Sequence, residues 1–410
     1  MKIGVWIDKP LDKTSGGSFT YFNTLIEGID NFNFVRPIEI VFISAGTLTG
    51  FNKPFIDIAP HQRGIYVFTK IIRKAFKLIS KKLFKNVIDA IDQKEKRTKD
   101  ISAAAYLNTR EVGIIFYPLP ASHIIHGIPY ILNNWDLAHY TTYAFPEITG
   151  DNGFYGRNDW YTTIMPSALM VFTETYSGKK ELVNYLNFNP DKIRVVPMFS
   201  SNNLTGIELS IEDQQALLIK MRLKKQRFFF YPAQYWAHKN HYTLVKAFKK
   251  FVLQYPDYKL FLCGSDKGNL AYIKACVKTF ELESNVIFGG FVEDNELYTL
   301  YKNATALIMP TFSGPSNIPP IEALFLNCPV LCSDLDGHKE ILSDAGVYFN
   351  PADELAILES MLTIVDVATR LNILQKLQQQ ASVTDHTIQK ALMKLEGHLM
   401  EAINIRSCWE

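Results

Sequence analysis

Short apolar runs alternate with longer helical patterns along this chain, and this alternation limits its fold more than any other feature. Apolar strands that alternate with helices form parallel sheets, which need helices on both faces to bury them. In the first half the pattern predicts strands at 5–7, 38–43, 112–117, 130–132, 168–173 and 193–196. It predicts helices at 21–30, 70–91 and 177–185. The first half is therefore predicted to be a doubly wound domain.

The same alternation starts again after a polar stretch at 199–206, which we interpret as a linker. The second half predicts strands at 228–232, 259–263, 286–288, 306–309 and 330–332, and helices at 241–255, 270–280, 294–302 and 320–326. A chain of 410 residues exceeds the size at which a single hydrophobic core stops growing. We therefore predict an α/β protein with two Rossmann-like doubly wound domains, at 1–200 and 201–385. They would face each other across a cleft at the carboxyl ends of their strands, where such sheets bind ligands.

The composition is that of an ordinary globular protein, with 47% hydrophobic and 20% charged residues. The formal net charge of +2 gives no global field that would select nucleic acid. The five cysteines form no CxxC pair, which is typical of a reduced cytosolic protein without structural zinc. The apolar run at 1–7 is too short for a signal peptide or a membrane span. Together these features predict a cytoplasmic protein.

A loop that begins at Gly314 leads from a predicted strand into a predicted helix. The first N–H groups of a helix are unpaired and suit an anion such as phosphate. Prolines in this loop have no N–H, so the available donors are Ser316, Asn317 and Ile318. Glu322 is expected in the first helical turn, where a ribose diol beside a diphosphate would be its natural partner. A plain helix start with a favourable acid near the dipole remains an equally good interpretation.

Two other segments place polar or small residues after strands. Lys239 follows the first strand of the second domain and could neutralise a diphosphate as a point charge. His238 and His241 stand beside it without nearby acids, which is a weak basis for a metal site, so none is predicted. Gly16 and Gly17 follow the first strand of the chain and allow close approach of a ligand, although such pairs are more often simple turns.

Asp136 and His139 come after the strand predicted at 130–132. Polar residues at the carboxyl end of a parallel strand face the cleft. These two side chains are therefore further candidates for the site.

Taken together, these segments resemble glycosyltransferase family 4, the retaining sugar-nucleotide transferases of GT-B fold. The resemblance covers nearly the whole chain, and its specificity lies in the order and spacing of the motifs. A branch similar to bacterial surface-polysaccharide enzymes carries a related G-P-[ST]-N-I-P-P-x-E-A pattern. The matching pieces are Gly16-Gly17, WDLAH with FPE at 145–147, FTETYSGKKEL from Phe172, KIRVVPM from Lys192, HKNHYTLVKAF from His238, NVIFGGFVEDNELYTLY from Asn285, and the stretch PSNIPPIEALFLNCPVLCSD with GHKEILSDAGVYFNP.

The resemblance implies roles for individual residues. Lys239 matches the lysine that binds the donor diphosphate, and Glu322 matches the second acid of a paired-Glu motif, which holds the donor ribose. Asp136 matches the acid of a His-Asp pair, and with His139 these residues form the predicted catalytic set. The predicted donor-binding residues are Gly16, Gly17, Gln234, Gly290, Phe291, Val292, Gly314, Ser316, Asn317 and Ile318. The first domain would bind the acceptor and the second the nucleotide sugar, and the segment at 386–410 could return to the first domain.

The chain departs from the family pattern at three positions. Gly314 stands where the first acid of the paired-Glu motif is usual, and Gln234 stands where an arginine usually accompanies the lysine. Trp135 replaces the histidine of the His-Asp pair, although His139 lies one helical turn further on. These changes leave open how the donor-sugar hydroxyls and the diphosphate charge are held.

The function expected from the resemblance is transfer of a sugar from a nucleotide-sugar donor to a growing glycan, with retention of anomeric configuration. The acceptor would be a glycan or a lipid-linked glycan of a surface polysaccharide. The nucleotide sugar is a substrate, so neither a cofactor nor a metal is expected, and no nucleic acid. Two alternatives remain open: a non-catalytic subunit that binds sugar nucleotides or glycans, and a GT-B sugar-nucleotide epimerase.

The stretch from Lys70 to Lys85 is strongly basic, and Ile72, Phe76 and Ile79 share one face of it as a helix. This pattern is typical of an interfacial helix on an anionic membrane, which would put the protein at the inner face. A helix that packs on its own domain and exposes a basic back is the other interpretation.

Overall fold

The computed structural model describes residues 1–7, 16–62, 85–120, 123–150, 153–200, 204 and 206–409. In it, the first domain is built on a seven-stranded parallel sheet with the strand order 3-2-1-4-5-6-7. Its strands are β1 (Lys2–Trp6), β2 (Glu39–Ser44), β3 (Phe55–Asp57), β4 (Val112–Tyr117), β5 (Tyr130–Asn134), β6 (Met170–Thr173) and β7 (Ile193–Val195). Its helices are α1 (Gly17–Asn31), α2 (Lys85–Thr109), α3 (Ala138–Thr141), α4 (Pro146–Thr149), α5 (Gly153–Asp159) and α6 (Tyr176–Leu186).

The second domain has a six-stranded parallel sheet with the order 10-9-8-11-12-13. Its strands are β8 (Phe228–Pro232), β9 (Lys259–Cys263), β10 (Val286–Gly290), β11 (Ala306–Met309), β12 (Val330–Ser333) and β13 (Gly346–Phe349). The helices from here to the end are α7 (Ile211–Lys220), α8 (His241–Val252), α9 (Leu270–Thr279), α10 (Asp294–Asn303), α11 (Ile318–Phe325), α12 (Asp336–Leu342), α13 (Glu354–Val365), α14 (Val367–Val383) and α15 (Ile388–Ser407). The predicted fold of two doubly wound sheets is confirmed.

Both sheets reverse their strand order at their first strand. In the first sheet β1 lies between β2 and β4, and in the second sheet β8 lies between β9 and β11. Such switch points leave a crevice at the carboxyl ends of the strands, and ligands bind there. The topology therefore brings the start of α1 and the loops that follow β8 and β11 to the edge where a ligand would bind.

The sequence pattern did not predict the two edge strands β3 and β13. β3 has three half-buried residues, and β13 has three half-buried residues of its four, so neither forms a distinct apolar run. The predicted helix at 70–91 coincides with described structure only from Lys85, where α2 begins. The basic stretch before Lys85 lies outside the described residues.

The last helix, α15, packs on the first domain. The backbone N–H of Arg36 donates to Glu396 Oε1 over 2.7 Å, and the Arg194 guanidinium pairs with Glu401. A Cβ on Gly28 of α1 would lie 3.1 Å from a side-chain carbon of Leu392. One apolar core consequently runs from the α1 face of the first sheet through α15 into the second domain.

A separate apolar cluster covers the other face of the first sheet. The strands of this sheet are thus buried on both sides, as parallel strands require. Among the helices in the described ranges, none is both long and apolar enough to traverse a bilayer.

The close contact between α15 and α1 predicts a stability effect. Replacing Leu392 with Ala should lower the free energy of unfolding by about 2–5 kcal/mol, because the side chain is buried and leaves a cavity against Gly28. Met393, the next residue of the same helix, is 58% exposed, and Met393→Ala should change stability by less than about 0.5 kcal/mol. Urea unfolding of both variants measures the difference, and equal effects would contradict the packing.

Candidate active site

The loops from the two switch points meet across the cleft. A Cβ on Gly16 would lie 3.3 Å from Gln234 Nε2, and a Cβ on Gly17 would lie 3.6 Å from Ile318 Cδ1. Gly16 has φ of 64°, a conformation that side-chain-bearing residues rarely adopt. The start of α1 in the first domain thus faces the start of α11 in the second. These four predicted donor-binding residues lie together.

A chain of hydrogen bonds fixes the lysine of the site. Lys239 Nζ donates to Asn317 Oδ1 over 3.3 Å, and Asn317 Nδ2 lies 3.1 Å from His338 Nε2. His338 Nδ1 lies 2.8 Å from the carbonyl oxygen of Ser333. Because the carbonyl only accepts and the amide NH₂ only donates, His338 carries its proton on Nδ1. Lys239, Asn317 and His338 therefore form one connected unit.

Burial controls the protonation of this unit. It lowers the pKa of Lys239 to about 8, while the carboxylate of Asp136 acts in the opposite direction. Burial likewise lowers the pKa of His338 to about 4, which keeps the imidazole neutral. A lysine with a pKa of about 8 is still mostly charged at neutral pH, so Lys239 can bind an anion at the start of α11.

The backbone at Gly314 explains the first departure from the family pattern. Its φ is 134°, and a Cβ there would lie 2.1 Å from Asn317 Nδ2. The amide of Asn317 occupies the space that a side chain at position 314 would need. An acid therefore does not fit at position 314 in this loop, and Asn317 supplies the polar group instead.

Glu322 lies in the second turn of α11, not in the first turn as expected. The helix begins at Ile318, two residues earlier than predicted, because prolines fit its first positions. The Tyr301 hydroxyl donates to Glu322 Oε2 over 2.7 Å, and burial raises the pKa of Glu322 to about 7. The carboxyl group is thus set back from the helix end and tied to Tyr301.

The predicted donor-binding residues Gly290, Phe291 and Val292 lie at the edge of the second sheet. Gly290 accepts a hydrogen bond of 2.8 Å from the N–H of Gly264, which in turn packs on the backbone of Ala233 beside Gln234. Phe291 is half exposed and, with Val292, lines a cavity of about 610 Å³. The loop is therefore joined to the Gln234 side of the cleft through backbone contacts.

Asp136 forms an ion pair with Arg157, a residue that the sequence analysis did not predict for the site. The Arg157 guanidinium pairs with its Oδ1, which also accepts the N–H of Ala138 over 2.8 Å. The aromatic rings of Tyr140, Phe154 and Tyr161 surround the neighbouring His139.

Asp136 and His139, both predicted catalytic residues, are close to each other but are not hydrogen-bonded. Both ring nitrogens of His139 are buried and have no hydrogen-bond partner in the described residues. Burial lowers the pKa of His139 to about 4, and the charge of Arg157 adds to this effect. His139 is therefore a neutral ring beside the Asp136–Arg157 ion pair.

His238 joins the two domains. Its backbone N–H and its Nδ1 lie 2.8 Å and 2.7 Å from Glu147 Oε1, across the cleft. Lys239 lies in a short 3-10 turn, and α8 begins only at His241, whose ring is stacked on Tyr235. Within the described ranges no three His, Cys, Asp or Glu side chains are grouped to hold a metal ion.

The end of β6 makes further contacts to the second domain that sequence reasoning missed. Thr175 Oγ1 donates to the carbonyl of Pro315 over 2.9 Å, and Ser316 Oγ donates to Glu174. Glu340 accepts the N–H groups of Tyr176 and Ser177 at the start of α6. The only sequence signal for this contact region is the FTET stretch at 172–175.

The model of the family described as glycosyl transferases group 1 matches residues 214–380, which contain Lys239, the Gly314 loop, Glu322 and His338. The matched segment lies within the second domain. This match and the similarity to O-antigen chain mannosyltransferases confirm the resemblance to surface-polysaccharide glycosyltransferases that the motifs indicated.

Curated relatives and solved structures are also similar to this chain. The chain is 28% identical over 205 residues to the O-antigen chain mannosyltransferase RfbU of Salmonella typhimurium, which is 49% of this chain and 53% of that protein. A glycosyltransferase of Rickettsia africae has a TM-score of 0.67 at 15% identity, covering 98% of both chains. HepE of Anabaena, solved with UDP and glucose, has a TM-score of 0.69 at 12% identity, covering 98% of this chain and all of the other.

These likenesses differ in what they establish. The structural matches extend over both domains, so the GT-B fold applies to the whole described chain. The sequence match is shorter: the chain spans about half the length of the curated relatives that it matches.

The tight contact at Gly314 predicts a specific loss of stability. Gly314→Ala should cost about 2–5 kcal/mol, because it combines an unfavourable positive φ with a clash against Asn317. Gly268 also has a positive φ, but a Cβ there would meet no atom within 4 Å. Gly268→Ala should therefore cost only about 1–2 kcal/mol. Urea unfolding compares the two variants, and an equal loss would show that Asn317 moves aside freely.

Proposed function

We propose that this protein transfers a sugar from a nucleotide-sugar donor to a growing glycan of a surface polysaccharide, with retention of anomeric configuration. The observation that carries the proposal is the pairing of Lys239 with Asn317 at the N-terminal end of α11, opposite Gly16 and Gly17. A cation beside the N-terminal end of a helix suits a diphosphate. Similarity to RfbU, named as an O-antigen mannosyltransferase, and to the fold of HepE, which holds UDP and glucose, supports it.

The chemistry follows from charge stabilisation of the leaving diphosphate. As the bond from the anomeric carbon to the phosphate oxygen breaks, negative charge grows on that oxygen. In this proposal Lys239 and the backbone N–H groups of Ser316, Asn317 and Ile318 stabilise this charge without rearrangement. The proposal invokes no metal ion, and an unchanged rate in EDTA is expected.

The engagement of the carboxylates supports retention without a covalent intermediate. Asp136 is paired with Arg157, Glu322 with Tyr301 and Glu147 with His238. In the described residues, each of these three carboxylates has an ion-pair or hydrogen-bond partner. In this proposal the acceptor hydroxyl attacks from the face that the diphosphate leaves, and a phosphate oxygen takes its proton.

The acceptor and its location complete the proposal. A lipid-linked glycan at the inner face of the membrane would be held by the first domain, and the enzyme would work in the cytoplasm. The stretch from Lys70 to Lys85 would contribute to membrane attachment, but it lies outside the described side chains. Its role stays a prediction, which binding of the protein to anionic vesicles at low and high salt can test.

The deciding experiment begins with donor binding. UDP, GDP, dTDP and ADP are compared by thermal shift, and the matching nucleotide sugars are then supplied with a short glycan acceptor. NMR of the product gives the anomeric configuration. Retained configuration supports the proposal, whereas an inverted product contradicts it. Binding without transfer favours a non-catalytic subunit, and conversion of the donor sugar without acceptor favours an epimerase.

The lysine assignment gives a direct prediction. Lys239→Ala should weaken nucleoside-diphosphate binding by roughly ten- to a hundredfold, since a hydrogen bond to a charged group contributes about 1.5–3 kcal/mol. Lys249 on α8 is an exposed lysine of the same domain, so Lys249→Ala is the matched control and should leave the affinity unchanged. Titration calorimetry measures both, and an unaltered affinity in Lys239→Ala would remove Lys239 from the donor site.

A further inference from the structure

Glu174 is a buried carboxyl group at the centre of the domain contact. It directly follows β6, and 3% of it is exposed. Its Oε2 accepts the hydroxyl of Ser316, one of the residues that lead into α11. Its Oε1 is buried and has no hydrogen-bond partner in the described part of the chain. A carboxyl group of the acceptor domain therefore reaches the loop to which the diphosphate is assigned.

The groups around Glu174 do not neutralise a negative charge. Tyr21 of α1 and Asp136 of the loop after β5 face it from the first domain, and Ser316 faces it from the second. None of these groups is a cation, and Arg157 is committed to Asp136. Burial raises the pKa of Glu174 to about 8; the hydrogen bond from Ser316 opposes this shift and Asp136 adds to it. The neutral form is thus the one that suits these surroundings.

We propose that Glu174 is a positioning residue of the donor site, which keeps its proton while the diphosphate is bound and in that neutral form holds Ser316 in place in the loop that leads into α11. The inference rests on the proposed function. A neutral carboxyl group can accept the Ser316 hydroxyl through one oxygen and donate its own proton through the other. Once ionised, the same group places a negative charge beside the loop and opposes diphosphate binding.

The expected consequence is a loss of donor affinity at alkaline pH. With a pKa of about 8, about a tenth of Glu174 carries its proton at pH 9, so the affinity of the wild type falls by up to about tenfold on this account. Lys239, whose pKa is also about 8, loses its charge over the same range and weakens binding in the same direction. The contribution of Glu174 must therefore be isolated by substitution.

Glu174→Gln is the variant that separates the two groups. Its side chain has one acceptor and one donor, like the neutral carboxyl group, and it does not ionise. Calorimetric titration with UDP, GDP, dTDP and ADP at pH 6.5 and pH 9 should give equal affinities for wild type and Glu174→Gln at the lower pH. At pH 9 the variant should bind about tenfold more tightly, because only Lys239 titrates in it. Glu174→Ala should bind weakly at both pH values.

Two further measurements extend this comparison. At pH 8, titration in two buffers of different ionisation enthalpy should reveal more proton uptake on binding for the wild type than for Glu174→Gln, because Lys239 contributes to both. Ser316→Ala removes the hydrogen bond that lowers the pKa of Glu174. Glu174 should then ionise at higher pH, and the alkaline loss of donor affinity in this variant should move to higher pH as well. Lys239 makes no hydrogen bond to Ser316, so its own titration stays in place.

The outcomes are distinguishable. If wild type and Glu174→Gln show parallel pH profiles and equal proton uptake, Glu174 is a structural contact only and the inference is wrong. If Glu174→Gln is as weak as Glu174→Ala at pH 6.5, the neutral form is not the active one and the inference is also wrong. If the wild type binds none of the four nucleoside diphosphates at any pH, the proposed function itself fails, and this inference fails with it.

Discussion

The side-chain amide of Asn317 is the interaction on which the rest of the site depends. Its oxygen accepts Lys239 and its nitrogen donates to His338, so it links the loop after β8, the start of α11 and the start of α12. A buried lysine needs an acceptor to remain charged, and Asn317 supplies one without adding a negative charge. Gly314 is required because any side chain there would displace this amide. Glycine in place of the first acid of the paired-Glu pattern is therefore what leaves room for the amide of Asn317.

The second domain alone does not complete the site. Ser316 and Pro315 are bonded to Glu174 and Thr175, and His238 is bonded to Glu147. The last helix, α15, returns to the first domain and shares its apolar core. The first domain therefore both closes the cleft over the loop before α11 and anchors the end of the chain. A rearrangement that separates the two domains has to break these polar contacts. The contacts therefore stabilise the arrangement of the domains seen here.

Local chemistry was enough to indicate part of the candidate site. Ser316, Asn317 and Ile318 follow from the unpaired N–H groups of a helix start and from the missing donors of proline, and both are properties of adjacent residues. Lys239 stands out because it follows the first strand of the second domain. By contrast, Glu147 contacts a residue 91 positions away and Glu174 one 142 positions away, and no local pattern encodes such contacts. Arg157 lies in a segment without strand periodicity, so its pairing with Asp136 was missed as well.

By itself, the sequence determined the two doubly wound sheets, the positions of most of their strands along the chain and the loops that carry the candidate donor-site residues. These depend on hydrophobic periodicity and on glycine and proline, which act within a few residues. Only the tertiary structure decided that Glu322 is set back against Tyr301, that His139 is not bonded to Asp136, and that Asn317 takes the space of an acid at position 314. The physical reason is that burial and hydrogen-bond partners are set by segments that are distant in the chain. Charge and orientation in the cleft are therefore properties of the assembled domains.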